Sequence, residues 1–222
     1  SNPVESFTAG AYIIDMGQTP QTVANGLKPY GLVYQLIVTE NIPVRWAIKD
    51  TKAKDGIDFS VDGNDYRGSA FIIPSEYINT NIISIINSWT AQGVVVNGPS
   101  SSFDAPVFKE LTSWPRAVLD DQNDQLVTPY YANAGIPTSS YVTAGNPTLL
   151  TSCGDVYVLP HADPHNWIQA WKTALINFVK NDQGYLWSGC HAVSALEGMV
   201  PGANFLSENG LQPWGPGAQG HS

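Results

Sequence analysis

The sequence predicts an α/β fold: a doubly wound, mostly parallel sheet with helices on both faces and a β-hairpin inserted near residues 57–70. Three observations carry that expectation. Short apolar runs alternate with stretches of helical periodicity along much of the chain. The apolar runs are continuous, as in strands buried on both faces. Finally, Asp62-Gly63 stands between two alternating segments, a strong two-residue hairpin signal.

The elements follow in order. "AYIIDMG" (Ala11 to Gly17) reads as a buried strand closed by Asp and Gly. "LKPYGLVYQLIVTEN" places Leu32, Val33, Leu36 and Ile37 at helical spacing, with Pro29 in the first turn. "PVRWAIK" (Pro43 to Lys49) is the next strand and completes a βαβ unit. After the hairpin, "AFIIPSEY" is a buried strand, and "INTNIISIINSWTAQG" carries Ile78, Ile82, Ile85 and Ile86 on one helical face. "VVVNG" and "PRAVLDD" continue as strands, and "PYYANAGIP" holds a short helix. "DVYVLPHADP" is a strand ending in a loop. "NWIQAWKTALINFVKNDQG" is the best helix, lined by Ile168, Trp171, Leu175, Phe178 and Val179. "YLWSG" is a strand, and "HAVSALEGM" opens a helix.

With 222 residues, one domain is expected over 1–200, followed by a Gly/Pro-rich tail or linker over 201–222. Charged residues make up only 13% of the chain, against roughly 25% in typical domains. Ten Lys and Arg face nineteen Asp and Glu, for a net charge of −9, a balance that repels phosphate backbones and anionic lipid. No nucleic-acid partner is expected. No run approaches the ~18 apolar residues of a spanning helix, so membrane insertion is not expected either. The opening "SNPVESFTAG" lacks the basic region and apolar core of a secretory signal. We associate the Asn-, Thr- and Tyr-rich surface with exported proteins. The expectation is a non-catalytic binding or assembly module of an exported bacterial surface protein, extracellular or at the cell surface. Its partner is another extracellular molecule or a second copy of the chain.

Functional residues of a doubly wound sheet gather in loops at the carboxyl ends of its strands. That rule selects Asp15 and Gly17, Ser75 and Glu76, His161 and Asp163, and Gly189, Cys190 and His191. Cys190 opens a helix, where unpaired N–H groups and the dipole lower a thiol pKa and can hold an oxyanion. The alternative is a small residue filling a crowded turn. No metal or cofactor is expected: His161, Asp163 and His165 share only an unspecific H-x-D-x-H loop spacing. The loop from Asp120 to Asp124 offers hard oxygens for calcium but lacks the glycine and terminal glutamate of an EF-hand. Cys153 and Cys190 would lie at opposite ends of neighbouring parallel strands, roughly 15–20 Å apart. That separation exceeds the ~7 Å limit of a disulfide. The tryptophans Trp89, Trp114, Trp167, Trp171 and Trp187 suggest sugar stacking, although most fall on faces a core would claim.

The stretch "DVYVLPHADP … WIQAWKTALINFVKNDQGYLWSGCHAVSAL" resembles the second half of the class I glutamine amidotransferase-like superfamily, with its flavodoxin-like fold. Phe178-Val179, Gly184 to Trp187 and Gly189-Cys190 match the layout of helix, short strand and nucleophile elbow. Cys190-His191 is similar to the intracellular-protease branch, where such a pair acts as nucleophile and base. "GCHAVS" is similar to the trehalose-utilisation-like branch. The resemblance implies a cysteine-dependent hydrolase or amidase using Cys190 and His191, with Glu76 or Asp163 as the carboxylate, or a sugar-acting enzyme sharing the pocket. Glutaminase domains carry a His-x-Glu pair downstream of the cysteine. Only His191 and His221 follow Cys190 here, neither in that pattern.

Overall fold

The computed structural model describes residues 1–162, 167–189 and 192; Asp163, Cys190, His191 and the 201–222 tail lie outside the described residues. The chain divides into two compact units. Ser1–Trp114 with Tyr130–Ile136 forms the first, and Pro115–Pro129 with the chain from Pro137 forms the second.

In the first unit, β1 (Val4–Phe7), β8 (Phe103–Leu111), β3 (Val44–Ala47), β6 (Phe71–Ile73), β2 (Tyr12–Ile14) and β7 (Val96–Asn97) form one sheet in that spatial order. Every adjacent pair is antiparallel. β2 and β3 nevertheless run the same way, joined by α1 (Lys28–Tyr34), with β6 inserted between them. β6 and β7, joined by α2 (Thr80–Thr90), run the opposite way and flank β2. Two β-α-β units are thus interleaved head to tail.

Both helices cover one face of this sheet. Leu32, Val33, Leu36 and Ile37, from α1 and the π-turn Gln35–Thr39 that continues it, pack with Ile82, Ile85, Ile86 and Trp89 of α2 on Ile14, Val44, Phe71 and Ile73. Asn79 starts α2 by accepting the Ile82 N–H at 3.0 Å. The other face is closed by the hairpin of β4 (Phe59–Val61) and β5 (Asn64–Tyr66), whose Phe59, Val61 and Tyr66 bury Ile13, Ile72 and Val107. Asp62 and Gly63 both have positive φ, the two-residue turn expected from the sequence.

The second unit is the parallel part. Its sheet has the order β10 (Tyr141–Gly145), β9 (Ala117–Asp120), β11 (Val156–Leu159), β12 (Tyr185–Ser188), all parallel. The helix α4 (Gln169–Lys180) packs Leu175 and Phe178 on Val118, Tyr157 and Leu159. A short helix, α3 (Thr128–Asn133), lies where the chain passes back to the first unit.

The fold is therefore mixed α/β, with a parallel four-stranded sheet and an antiparallel six-stranded one. The strands at 11–17, 43–49 and 70–73 exist, but as members of an antiparallel sheet. A continuous apolar run reports burial on both faces, and here helices and a hairpin achieve that without parallel pairing. Ile168 also departs from expectation, standing exposed beside the N-terminus of α4. Among the described residues no helix is long and apolar enough to cross a membrane.

Candidate functional site

Parallel strands bring their carboxyl ends to one edge, so Asp120, Gly145, Leu159 and Ser188 end β9, β10, β11 and β12 together. The chain leaves β9 toward β10 on one side and β11 toward β12 on the other. Neighbouring strands whose connections depart in opposite directions open a crevice between their loops, where α/β sheets bind ligands. Here that point lies between the ends of β9 and β11.

A buried polar pair lies beside it, at the end of β9. Asp120 has no exposed surface. One carboxylate oxygen accepts the Gln122 N–H at 2.9 Å, and the other accepts the Tyr157 hydroxyl through a short hydrogen bond. Burial pushes the Asp120 pKa up to about 6; the bonds from Tyr157 and Gln122 oppose the rise, and the neighbouring Asp121 adds to it. Burial, then the adjacent Asp120 charge, push the Tyr157 phenol well above its ordinary range. The register explains the pair. Tyr157 stands opposite Val118 and so shares a face with Val118 and Asp120, two residues apart on β9.

The loop after Asp120 is tied to its neighbours. Asn123, in the left-handed conformation, donates its side-chain amide to the His161 carbonyl at 2.6 Å. The Asp124 carboxylate accepts the Ala144 N–H at 2.7 Å. The oxygens considered for calcium at Asp120 and Asp124 thus accept hydrogen bonds from the protein. Among the described residues no three His, Cys, Asp or Glu side chains converge on a metal position.

Of the residues selected from the sequence, His161 and Gly189 lie at this edge. Gly189 N–H donates to the Leu159 carbonyl at 3.1 Å, continuing the β11–β12 ladder one residue past its end. Cys153 is exposed in the turn before β11, at the opposite edge from Gly189.

Asp15, Gly17, Ser75 and Glu76 belong to the first unit, and antiparallel pairing separates them. Tyr12 pairs with Ile73 and Ile14 with Phe71, so Asp15 and Ser75 leave opposite edges of the sheet, about 15 Å apart along the strands. Asp15 closes its own turn, accepting the Gly17 N–H at 2.8 Å and the Gln18 amide at 2.7 Å. Ser75 shares a 2.6 Å hydrogen bond with Thr8. Exposed Glu76 lines a cleft of about 140 Å³ with Glu5 and Arg45. Arg45 is ion-paired to Glu5 at 3.0 Å and to Glu110. Within the first unit, Asp15 and Ser75 therefore do not share one strand-end pocket, since that grouping presumed parallel strands.

Tyr157 carries no site signal in the sequence, and Asp120 enters there only as an oxygen of the 120–124 loop. "VLDD" does mark a buried strand closing on a carboxylate, but the contact with Tyr157 depends on the β9–β11 register, which no local pattern encodes. Of the tryptophans, Trp89 and Trp167 are core residues, whereas Trp187 is 45% exposed. Compared with known proteins, the chain matches no protein-family model, no curated protein and no solved structure, so the chemistry of this edge is read from its own residues.

Proposed function

We propose that the carboxyl edge of the four-stranded sheet is the working site of a cysteine-dependent hydrolase or amidase, with Cys190 as nucleophile. One observation carries this reading. β12 runs parallel to β11 and delivers Gly189, the residue before Cys190, to the edge where β9 ends in buried Asp120. A buried carboxyl with its pKa near 6 beside a switch point is a setting for acid–base work. The reaction class is acyl transfer. The thiolate adds to an amide or ester carbonyl, an amine or alcohol leaves, and water then cleaves the thioester.

Parallel pairing of β11 and β12 across α4 supports the amidotransferase-like resemblance over Asp155 to Leu196. The doubly wound arrangement is proposed for this sheet alone. A second reading, the non-catalytic module of an exported surface protein, is favoured by the sparse charge and by Tyr185 and Trp187. These two side chains are 65% and 45% exposed on edge strand β12.

Alkylation separates the two. In a Cys153→Ser background, which removes the exposed thiol, the iodoacetamide rate is followed from about pH 4 to 9 with Cys190→Ser as the blank. The enzyme reading expects a thiol titrating at about pH 5–6. An ordinary titration at about 8.5 leaves the surface-module reading.

A further inference from the structure

We propose that the loop 121–124 is a proton-operated clasp over the crevice between β9 and β11: protonated Asp120 holds it shut, and ionised Asp120 releases it. Neither Cys190 nor the acyl-transfer reading enters into it.

The loop is tied down on both sides. Toward β10, the Asp121 N–H donates to the Gly145 carbonyl at 2.9 Å, and the Asp124 carboxylate accepts the Ala144 N–H at 2.7 Å. Toward β11, the Asn123 side-chain amide donates to the His161 carbonyl at 2.6 Å, a bond that crosses the crevice. The shut state is also strained. Ala144, at the bulge of β10, is held at φ 48°, a left-handed conformation that alanine disfavours.

The latch is Asp120. Its residue has no exposed surface, and its carboxyl takes bonds from Tyr157 and from the Gln122 N–H at 2.9 Å. The first turn of the loop is therefore folded onto the carboxyl. A neutral acid suits this place, since its carbonyl oxygen accepts from Gln122 while its hydroxyl shares the bond with Tyr157. A carboxylate suits it poorly. Among the described residues no cation pairs with Asp120, and Asp121 beside it adds like charge. β10 opposes it with Gly145, and α4 brings Trp167, Trp171, Leu175 and Phe178 to that face of the sheet, none of them charged. Asp124 is turned to the Ala144 N–H, and His161 meets the loop through its carbonyl.

Burial and Asp121 thus favour the proton, in line with a pKa pushed up to about 6. A solvated aspartate titrates near 4. Ionisation, with the proton passing to solvent, therefore works against the shut loop and for an open one in which water reaches the carboxylate. A gap of about two units raises the open-to-shut ratio by up to about 100-fold across the full titration, and by about tenfold between about pH 5 and 8. The crevice is shut in acid and admits a ligand at neutral pH.

The test is amide hydrogen exchange read by NMR on the full chain at about pH 5 and 8, as protection factors that divide out the intrinsic pH dependence. Protection of the Asp121, Gln122 and Ala144 amides is expected to fall about tenfold, while staying below that of Val158 in the β9–β11 ladder at both pH values. Asp120→Asn imitates the neutral acid, with its amide donating to the Tyr157 oxygen, and keeps its protection at both. Tyr157→Phe removes a bond that favours the ionised form, so the change moves to higher pH. His161→Gln leaves the tenfold fall in place; its loss there would assign the response to the imidazole and overturn the clasp. An unchanged protection in the parent overturns it too, as does an equal fall in Asp120→Asn. Loop amides as protected as Val158 would open only with the whole unit, which also rules it out.

Discussion

Asp58 accepts three hydrogen bonds from three places: the Lys49 N–H at 2.8 Å, the Lys52 ammonium at 2.7 Å and the Ser69 N–H at 2.9 Å. Its side chain has no exposed surface. It thereby ties the start of the β4–β5 hairpin to the segments after β3 and before β6. Removing it strands two backbone donors and a largely buried ammonium, and unmade buried bonds cost more than made ones contribute. Asp58→Ala is expected to lower stability by about 2–4 kcal/mol, and Asp58→Asn by less, because one acceptor remains. Urea unfolding of the three proteins measures it; a loss below about 0.5 kcal/mol for the alanine variant contradicts this role.

For the elements, much was legible where the signal is local. The hairpin turn at Asp62-Gly63 depends on two residues that accept positive φ, and α2 and α4 on apolar side chains three and four apart. What failed to show was strand direction, together with β1, β8 and β10. β8, nine residues long, carries Pro106, Lys109 and Glu110 and does not look buried. Its inward set, Phe103, Ala105 and Val107, becomes visible only once Val44 and Val4 are known to pair with it. The site divided in the same way. His161 and Gly189 follow from the rule about strand ends, whereas the Asp120–Tyr157 contact is non-local. One close approach within the first unit is testable at this scale. A Cβ on Gly31 of α1 would lie 1.9 Å from the Ala134 carbonyl oxygen and 2.6 Å from the Trp89 ring. The gain in helix propensity for Gly→Ala, about 1 kcal/mol, is outweighed by that clash. Gly31→Ala is expected to lower the unfolding temperature by several degrees; an unchanged or higher midpoint would count against the close approach.

Stability against pH is a property of the whole molecule, and two buried carboxyls pull it opposite ways. Asp155 has its pKa lowered: burial works to raise it, but the Arg116 guanidinium and the Thr151 N–H and hydroxyl outweigh that. Its contribution is present above the unfolded value near 4 and is lost as pH falls through that region. Asp120 has its pKa raised, so the folded state binds more protons than the unfolded one. Its contribution is present below about pH 4 and is lost as pH rises through about 6. The parent is therefore expected to lose stability between about pH 4.5 and 7.5, and Asp120→Asn to lose much less over that interval. Denaturant unfolding at the two pH values decides it, and equal pH dependence in both proteins would show that Asp120 titrates normally.

The chain enters the second unit at Pro115, returns to the first for Tyr130–Ile136, and leaves again at Pro137. The returning piece supplies Ala134 and Ile136, both buried, and the carbonyl that lies over Gly31. Synthesis runs from the N-terminus, and domains generally fold as they emerge. This first unit is still missing part of its core when residue 114 is made. It is completed only after Ile136 has been added, by which time β9 and Asp120 already exist. The two units therefore cannot be finished one after the other during translation, and a ribosome paused between residues 114 and 130 would hold a first unit whose α1 still lacks the Ala134 backbone that lies against Gly31.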